Sequence, residues 1–322
     1  LTLHVPSLAH PQLIKSNFAT SVSGESVTVV WVANEQGLFR KHGLAVQLIL
    51  MPRAPLSIAA LVTGEIDMAV TGPGHLLNAA VGGAEVIGVA NFFQKLDYTL
   101  SARPEIKKPE DLRGKRLAIS GPGATSHIVA LLALQNLSIE PNQAKISLIS
   151  IPGTELNRRL ALESGSVDAT PLRGAMGDLY RNKGYPALFN FTGSGITLPQ
   201  TMVLTTRRIT ANKPQLVEAY VKAFIEGIAF IAEPANKEIV KRTMASHLRL
   251  SNPADAEEAY QSVSHAYERI PYANVDAMKR LHGILTSINP KLATVRPETV
   301  VDNSFINKLE SSGFIQSVYK KP

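Results

Sequence analysis

With 322 residues, 45% of them hydrophobic and 18% charged, the chain is a globular protein with core enough for two domains of ordinary size or one large one. The absence of cysteine excludes disulfides, thiolate chemistry and cysteine metal sites, and leaves no lipid-anchoring cysteine in the chain as it stands. The net charge of +7 is scattered in short groups (RRLALE, RNKG, TTRR, KEIVKR) without interleaved aromatics, which speaks against nucleic acid and for small anionic ligands.

No apolar run reaches the roughly 18 residues that a membrane span needs. The apolar stretch 128–134 is stopped by Gln135 and Asn136 and reads as helix. The chain starts at Leu1 without Met, which we read as a leader removed or a trimmed start.

In chain order, residues 1–11 read as a loose lead-in. A strand over 12–19 leads into the polar turn TSVSGES and a helix over 26–36, where Val29, Val30, Val32 and Ala33 recur at helical spacings. GLFRKHG ends that helix, and 44–51 alternates as a strand. Helix 55–64, strand 67–70, helix 74–81 and strand 85–91 repeat the grammar, which argues for βαβ units around a mainly parallel sheet. Near Tyr98 the pattern changes: 98–102 is extended, and PEIKKPEDLRG is a charged, proline-bearing connection.

A second α/β set opens at GKRLAISGPGATSHIVALLA (114–133). Strand 116–120 ends in a turn that Gly121 and Gly123 free to bend, and Thr125 or Ser126 is placed to cap the helix over 125–136. The unpaired N–H groups and positive dipole end of such a helix suit an anion, although an ordinary βα turn has the same look. Strand 145–150, helix 154–164, strand 167–171, helix 174–183 and strand 187–191 follow. The connection TGSGITLP leads to a strand over 200–205. Amphipathic helices over 213–233, 235–246, 253–267, 274–287 and 302–312 complete the chain.

The motifs of common catalysts are missing. GPGATS follows a strand and opens a helix, but it lacks the third glycine of a dinucleotide loop, and no acidic residue ends the next strand. No Gly-Lys-Ser/Thr follows the glycines, which removes a Walker loop. There is no HExxH, no DxDxDG loop and no GxSxG elbow, and no metal or other cofactor is expected.

VANEQGLFRKHGL (32–44), the strand VQLIL, AALVTGEIDMAVTGP (59–73), KKPEDLRGKRLAISGPGATS (107–126) and SLISIPGTELNRRLALESGSVDAT (147–170) occur in the order found in one family. Over roughly 27–205 the chain resembles ABC-importer substrate-binding proteins of the nitrate, sulfonate and taurine type, the NMT1/THI5-like group. The resemblance implies an α/β, two-lobe type-2 periplasmic-binding fold, each lobe a mixed, mainly parallel sheet flanked by helices. The lobes would comprise 1–101 with 203–322, and 102–202, joined near 98–104 and 200–206, where the patterning also changes. It further implies export to the periplasm, a monomer, a small anionic or zwitterionic ligand, hinge closure, and a membrane permease as partner. Two alternatives stay open: a same-fold enzyme such as a chorismate-type lyase, and a ligand-sensing domain.

Ligands of open α/β sheets sit beyond the carboxyl ends of the strands. In the first lobe those ends offer Ser21, Ser23, Gly24 and Glu25, then Arg53, then Thr71 and Gly72, and Phe92. In the second they offer Gly123, Thr125, Ser126, His127 and Arg173. Hydroxyls and backbone N–H groups suit a small oxyanion, and an arginine adds a two-pronged donor for carboxylate or sulfonate. Phe92 would wall an organic ligand or equally join the core, and His127 would donate or simply fill a first helical turn.

Overall fold

The computed structural model of the protein describes residues 12–21, 24–51 and 53–320, and of Ala175 the backbone alone. The lead-in expected over 1–11 and the candidate Ser23 lie outside the described residues.

The chain opens with strand β1 (Ile14–Thr20), helices α1 (Thr28–Glu35) and α2 (Leu38–Lys41), and β2 (Leu44–Leu50). Helix α2 was not expected. Gly37 takes a left-handed φ of 68° after α1, and GLFRKHG therefore re-enters a helical turn. Helix α3 (Ala54–Thr63), β3 (Met68–Thr71), α4 (Pro73–Val81) and β4 (Val86–Asn91) follow, with a proline opening both helices.

Strand β5 (Tyr98–Ala102) comes next, then β6 (Arg116–Ile119), α5 (Thr125–Asn136), β7 (Ser147–Ser150), α6 (Glu155–Glu163), β8 (Ala169–Arg173), α7 (Gly174–Asn182) and β9 (Ala187–Asn190). The return begins with β10 (Met202–Thr206) and continues as helices α8 (Arg207–Asn212), α9 (Pro214–Ala232), α10 (Lys237–Leu248), α11 (Pro253–Val263), α12 (Val275–Thr286), α13 (Ser304–Ser311) and α14 (Phe314–Tyr319). No helix among the described residues is long and apolar enough to cross a membrane.

These strands form two five-stranded sheets, ordered β2-β1-β3-β10-β4 and β7-β6-β8-β5-β9. In each, four strands run one way and one runs against them: β10 is antiparallel to β3 and β4, β5 to β8 and β9. The reversed strand is in each case the one the chain enters on arriving from the other sheet. The joints expected near 98–104 and 200–206 are therefore strands, not crossings. The buried run YTLSA pairs on both sides inside the second sheet. The chain crosses instead at 92–97 and 191–201, and these two segments lie side by side, bonded from Leu198 N to Gln94 O (2.8 Å) and from Gln200 N to Phe93 O (3.1 Å).

Neighbouring residues of one strand enter different cores, as the two-residue period of a strand covered on both faces requires. Phe18, Val70 and Val203 pack with α1 and α9, where Phe18, Phe39, Tyr220 and Phe224 meet ring to ring at centroid distances of 5.4–6.0 Å. Ala19, Ala69 and Met202 face a second core that also holds Leu117 and Ile119 of the second sheet. Helices α4, α5 and α12 contribute Leu76, Val129 and Leu281 to it, so an apolar seam joins the lobes. The second sheet's other face covers a small core around Leu162, Leu172 and Tyr180.

Asp168, just before β8, ties that sheet together. Its carboxylate accepts from Arg116 N (2.8 Å), Nε (3.0 Å) and Nη2 (3.1 Å). Burial works to raise its pKa, and the hydrogen bonds and charge of Arg116 outweigh that and hold it below the usual carboxylate range. Asp168→Asn should lower stability by about 2 kcal/mol at neutral pH, the worth of hydrogen bonds to a charged group. Because the folded pKa is depressed, the contribution is full above the unfolded value near 4 and is lost as pH falls through the folded value. Denaturant titrations of both proteins should thus converge in acid; a difference that persists undiminished there would contradict this account.

Candidate functional site

The carboxyl ends of the parallel strands of both sheets line one system of connected cavities. At its centre lies a polar cavity of about 90 Å³, reached by Gly24 and Glu25 from the first lobe and by Tyr98, Ser120, Thr125, Ser126, Glu155, Arg158 and Arg173 from the second. Gln200 of the second crossing closes it. A larger cavity of about 770 Å³ continues past Ser120 and Gly153 to Ser21, Arg53, Leu56, Thr71 and Gly72. A third, of about 150 Å³, runs the other way past Glu25, Glu155 and Arg173 toward α11.

Arg173 ends β8 at the junction of the two crossings. Its guanidinium lies 4.7 Å from the ring centre of Phe93 and 4.9 Å from that of Tyr98, donates to Tyr98 Oη at 2.8 Å, and reaches Gln200 Oε1 at 3.4 Å. Burial opposes its charge, but Tyr98, Glu155 and Glu25 outweigh burial and hold its pKa above the usual value. Burial also pushes the Tyr98 phenol up. Arg158, 4% exposed, donates to Ser120 Oγ at 2.6 Å, and its Nη2 lies 3.7 Å from Glu155 Oε2. Its Nε has no partner within the protein.

Glu155 opens α6 and accepts from Arg173 N at 3.1 Å. Burial chiefly, and the facing charge of Glu25, push its carboxyl up to about 7 against the pull of Arg158, Arg173 and Arg159. The site thus carries two guanidiniums and two carboxylates. That composition offers charges of both signs, with hydroxyl and amide partners, to a small polar molecule. Among the described residues no group of His, Cys, Asp and Glu is arranged to hold a metal ion.

Several expected site residues are placed otherwise. Neither Thr125 nor Ser126 caps α5, whose cap position is Ala124 with no side-chain bond. Ser126 Oγ accepts from Ser120 N (2.8 Å), and Thr125 Oγ1 donates to Gln200 O (2.8 Å), so both hydroxyls fix the turn and the crossing. Phe92 is fully buried in the first lobe's core, edge-on to Phe224 and Tyr267; its neighbour Phe93 meets Arg173. His127 accepts from Gly123 N at 3.0 Å, has its pKa lowered by burial, and faces a groove beside α12. Ser21 donates to Val70 O (3.0 Å) at the edge of the large cavity, where Arg53, Thr71 and Gly72 also lie. Gly123 packs against His75 of the opposite lobe.

Tyr98, Ser120, Glu155, Arg158 and Gln200 escaped the reading of the sequence. Glu155 and Arg158 follow the end of β7, so the strand-end rule contains them, but ELNRRLALE has the charge pattern of a solvated helix.

Two lobes, paired crossings and a charged cavity between facing strand ends define the two-lobe periplasmic-binding fold. The profile of one family, NMT1/THI5-like, matches residues 25–237, more than half of the chain, and the chain belongs to that family. Proteins of Brucella abortus and Brucella suis described as binding proteins are 25% identical over 193 residues, 55% of this chain and 58% of theirs. The match therefore spans less than two thirds of those relatives' length. Among solved structures, the alkanesulfonate-binding protein SsuA of Xanthomonas axonopodis pv. citri superimposes with a TM-score of 0.72 at 18% identity, over 92% of this chain and all of that one. The periplasmic nitrate-binding protein NrtA of Synechocystis gives 0.69 at 12% identity, over 94% of this chain and 90% of that one. At such identities these structures speak to the fold alone.

Proposed function

We propose that the protein is the extracytoplasmic solute-binding component of an ABC importer. It takes a small anionic or zwitterionic molecule into the cleft and presents it to a membrane permease. The observation that carries this is the pair of buried guanidiniums, Arg158 and Arg173, set between strand ends of two lobes that are joined by two paired crossings and an apolar seam. Membership of the family supports the reading, as do the sulfonate- and nitrate-binding roles of proteins that share its fold. The lobes divide at 92–97 and 191–201, the protein acts as a monomer in the periplasm, and the bound molecule leaves chemically unchanged.

Hinge closure couples binding to shape. Native mass spectrometry of the purified protein, followed by a thermal-shift screen of small anions and zwitterions, should yield a ligand. Small-angle scattering should then show a smaller radius of gyration at saturation. Identical scattering with and without a saturating hit, or a hit that is recovered converted to product, would sink the proposal.

A further inference from the structure

We infer that the ligand is a zwitterion. Its anionic group rests on Arg158 and the Ser120–Ser126 turn of the second lobe, and its ammonium lies between Glu25 of the first lobe and Glu155 of the second. The inference rests on the importer reading and narrows it.

The charge balance of the central cavity motivates it. Arg158 and Arg173 are matched by Glu25 and Glu155, so a lone anion meets as much repulsion as attraction, whereas a zwitterion meets its complement at both ends. The cavity is also uneven along its length. Arg158, whose Nε has no partner within the protein, holds Ser120, which in turn bonds Ser126 in the first turn of the twelve-residue helix α5, whose dipole favours an anion. Toward α11 the cavity continues past Glu25, Glu155 and Arg173 to Glu163, Asp255 and Glu258, alongside Lys183 and Arg159, which pairs with Glu258, so that five carboxylates stand against three cations there. An ammonium directed that way replaces a like-charge contact across the cleft by two attractions, one to each lobe, and so draws the lobes together. The same contact lets specificity and closure share one interaction.

A lone anion has one way around the repulsion, the uptake of a proton by Glu155. The groups facing that carboxyl are Arg158 and Arg159 on its own helix, Arg173 on β8, Tyr98 on β5 and Glu25 of the first lobe. Anion affinity should therefore fall as pH rises through about 7, while zwitterion affinity should hold.

Calorimetry with matched pairs that differ only in ammonium against hydroxyl tests this: taurine with isethionate, β-alanine with 3-hydroxypropionate, and 4-aminobutyrate with 4-hydroxybutyrate. In at least one pair the zwitterion should bind about tenfold tighter one pH unit above 7. In Glu155→Gln that preference should vanish or invert, and Glu25→Gln, at the half-buried first-lobe edge of the cavity, should weaken it independently. Equal or tighter binding of the hydroxy acid in every pair that binds overturns the zwitterion and leaves the importer reading standing. Failure of all six compounds, where the screen yields a lone anion whose affinity holds above pH 7, likewise overturns the zwitterion and leaves the importer reading standing.

Discussion

Arg173→Gln should lower ligand affinity by on the order of 100-fold, measured calorimetrically with whichever compound the screen identifies, while the far-ultraviolet dichroism stays that of the wild type. Truncating one member of a buried, hydrogen-bonded charge cluster costs about 2–5 kcal/mol, much of it from leaving the remaining partners unpaired. Here those partners are known. Tyr98 Oη loses its donor, Gln200 Oε1 loses a weaker one, and the rings of Phe93 and Tyr98 lose the cation between them. Glu155 is also released from one of the charges that draw its pKa down, so its pKa should rise further. Arg173→Lys should rescue little, because an ammonium cannot lie flat between two rings and donate to Tyr98 and Gln200 together. An unchanged affinity in Arg173→Gln would confine the residue to holding the crossings.

Arg173 also shows what kind of information the sequence carried. The rule that ligands sit beyond strand ends selected it without knowing its neighbours, because the end of a parallel strand is a position that pattern alone reveals. Gly24 and Glu25 reached the same cavity on the same reasoning. Phe92 failed the rule for a local reason. It follows β4 directly and continues the alternation into the core, while Phe93, one residue on, turns toward the crossing.

Glu155 and Arg158 were hidden for a different reason. Within ELNRRLALE only Arg158 and Leu162 are buried, so the segment reads as an ordinary amphipathic surface helix with a charged face. Which side of that face meets the other lobe is decided by packing between distant parts of the chain, and periodicity is silent on it. The crossings were displaced for a related reason. An extended segment that links two sheets and a strand buried between two others have the same local signature, and only the pairing of β5 with β8 and β9 separates them.

The largest shape effect is expected at Gly74, the second residue of α4. A Cβ there would stand 2.6 Å from the carbonyl oxygen of Gly123 and 3.3 Å from its Cα, both backbone atoms of the opposite lobe. Gly123 itself has φ of +79°, a turn conformation that L side chains rarely adopt, so its carbonyl cannot swing aside cheaply. Relief must come from separating the lobes. Gly74→Val should therefore hold the cleft apart, abolish the ligand-dependent fall in radius of gyration, and weaken binding by at least about tenfold, the usual toll when a closed, binding-competent state becomes a minor one. The helix itself has little reason to suffer, since valine in place of glycine is, if anything, slightly favourable to a helix. Gly72→Ala supplies the control. Its Cβ would sit 3.5 Å from the same oxygen, an ordinary contact, and that variant should still compact on ligand addition. A Gly74→Val protein that still compacts on ligand addition would show that the contact between α4 and the Gly123 turn does not limit closure.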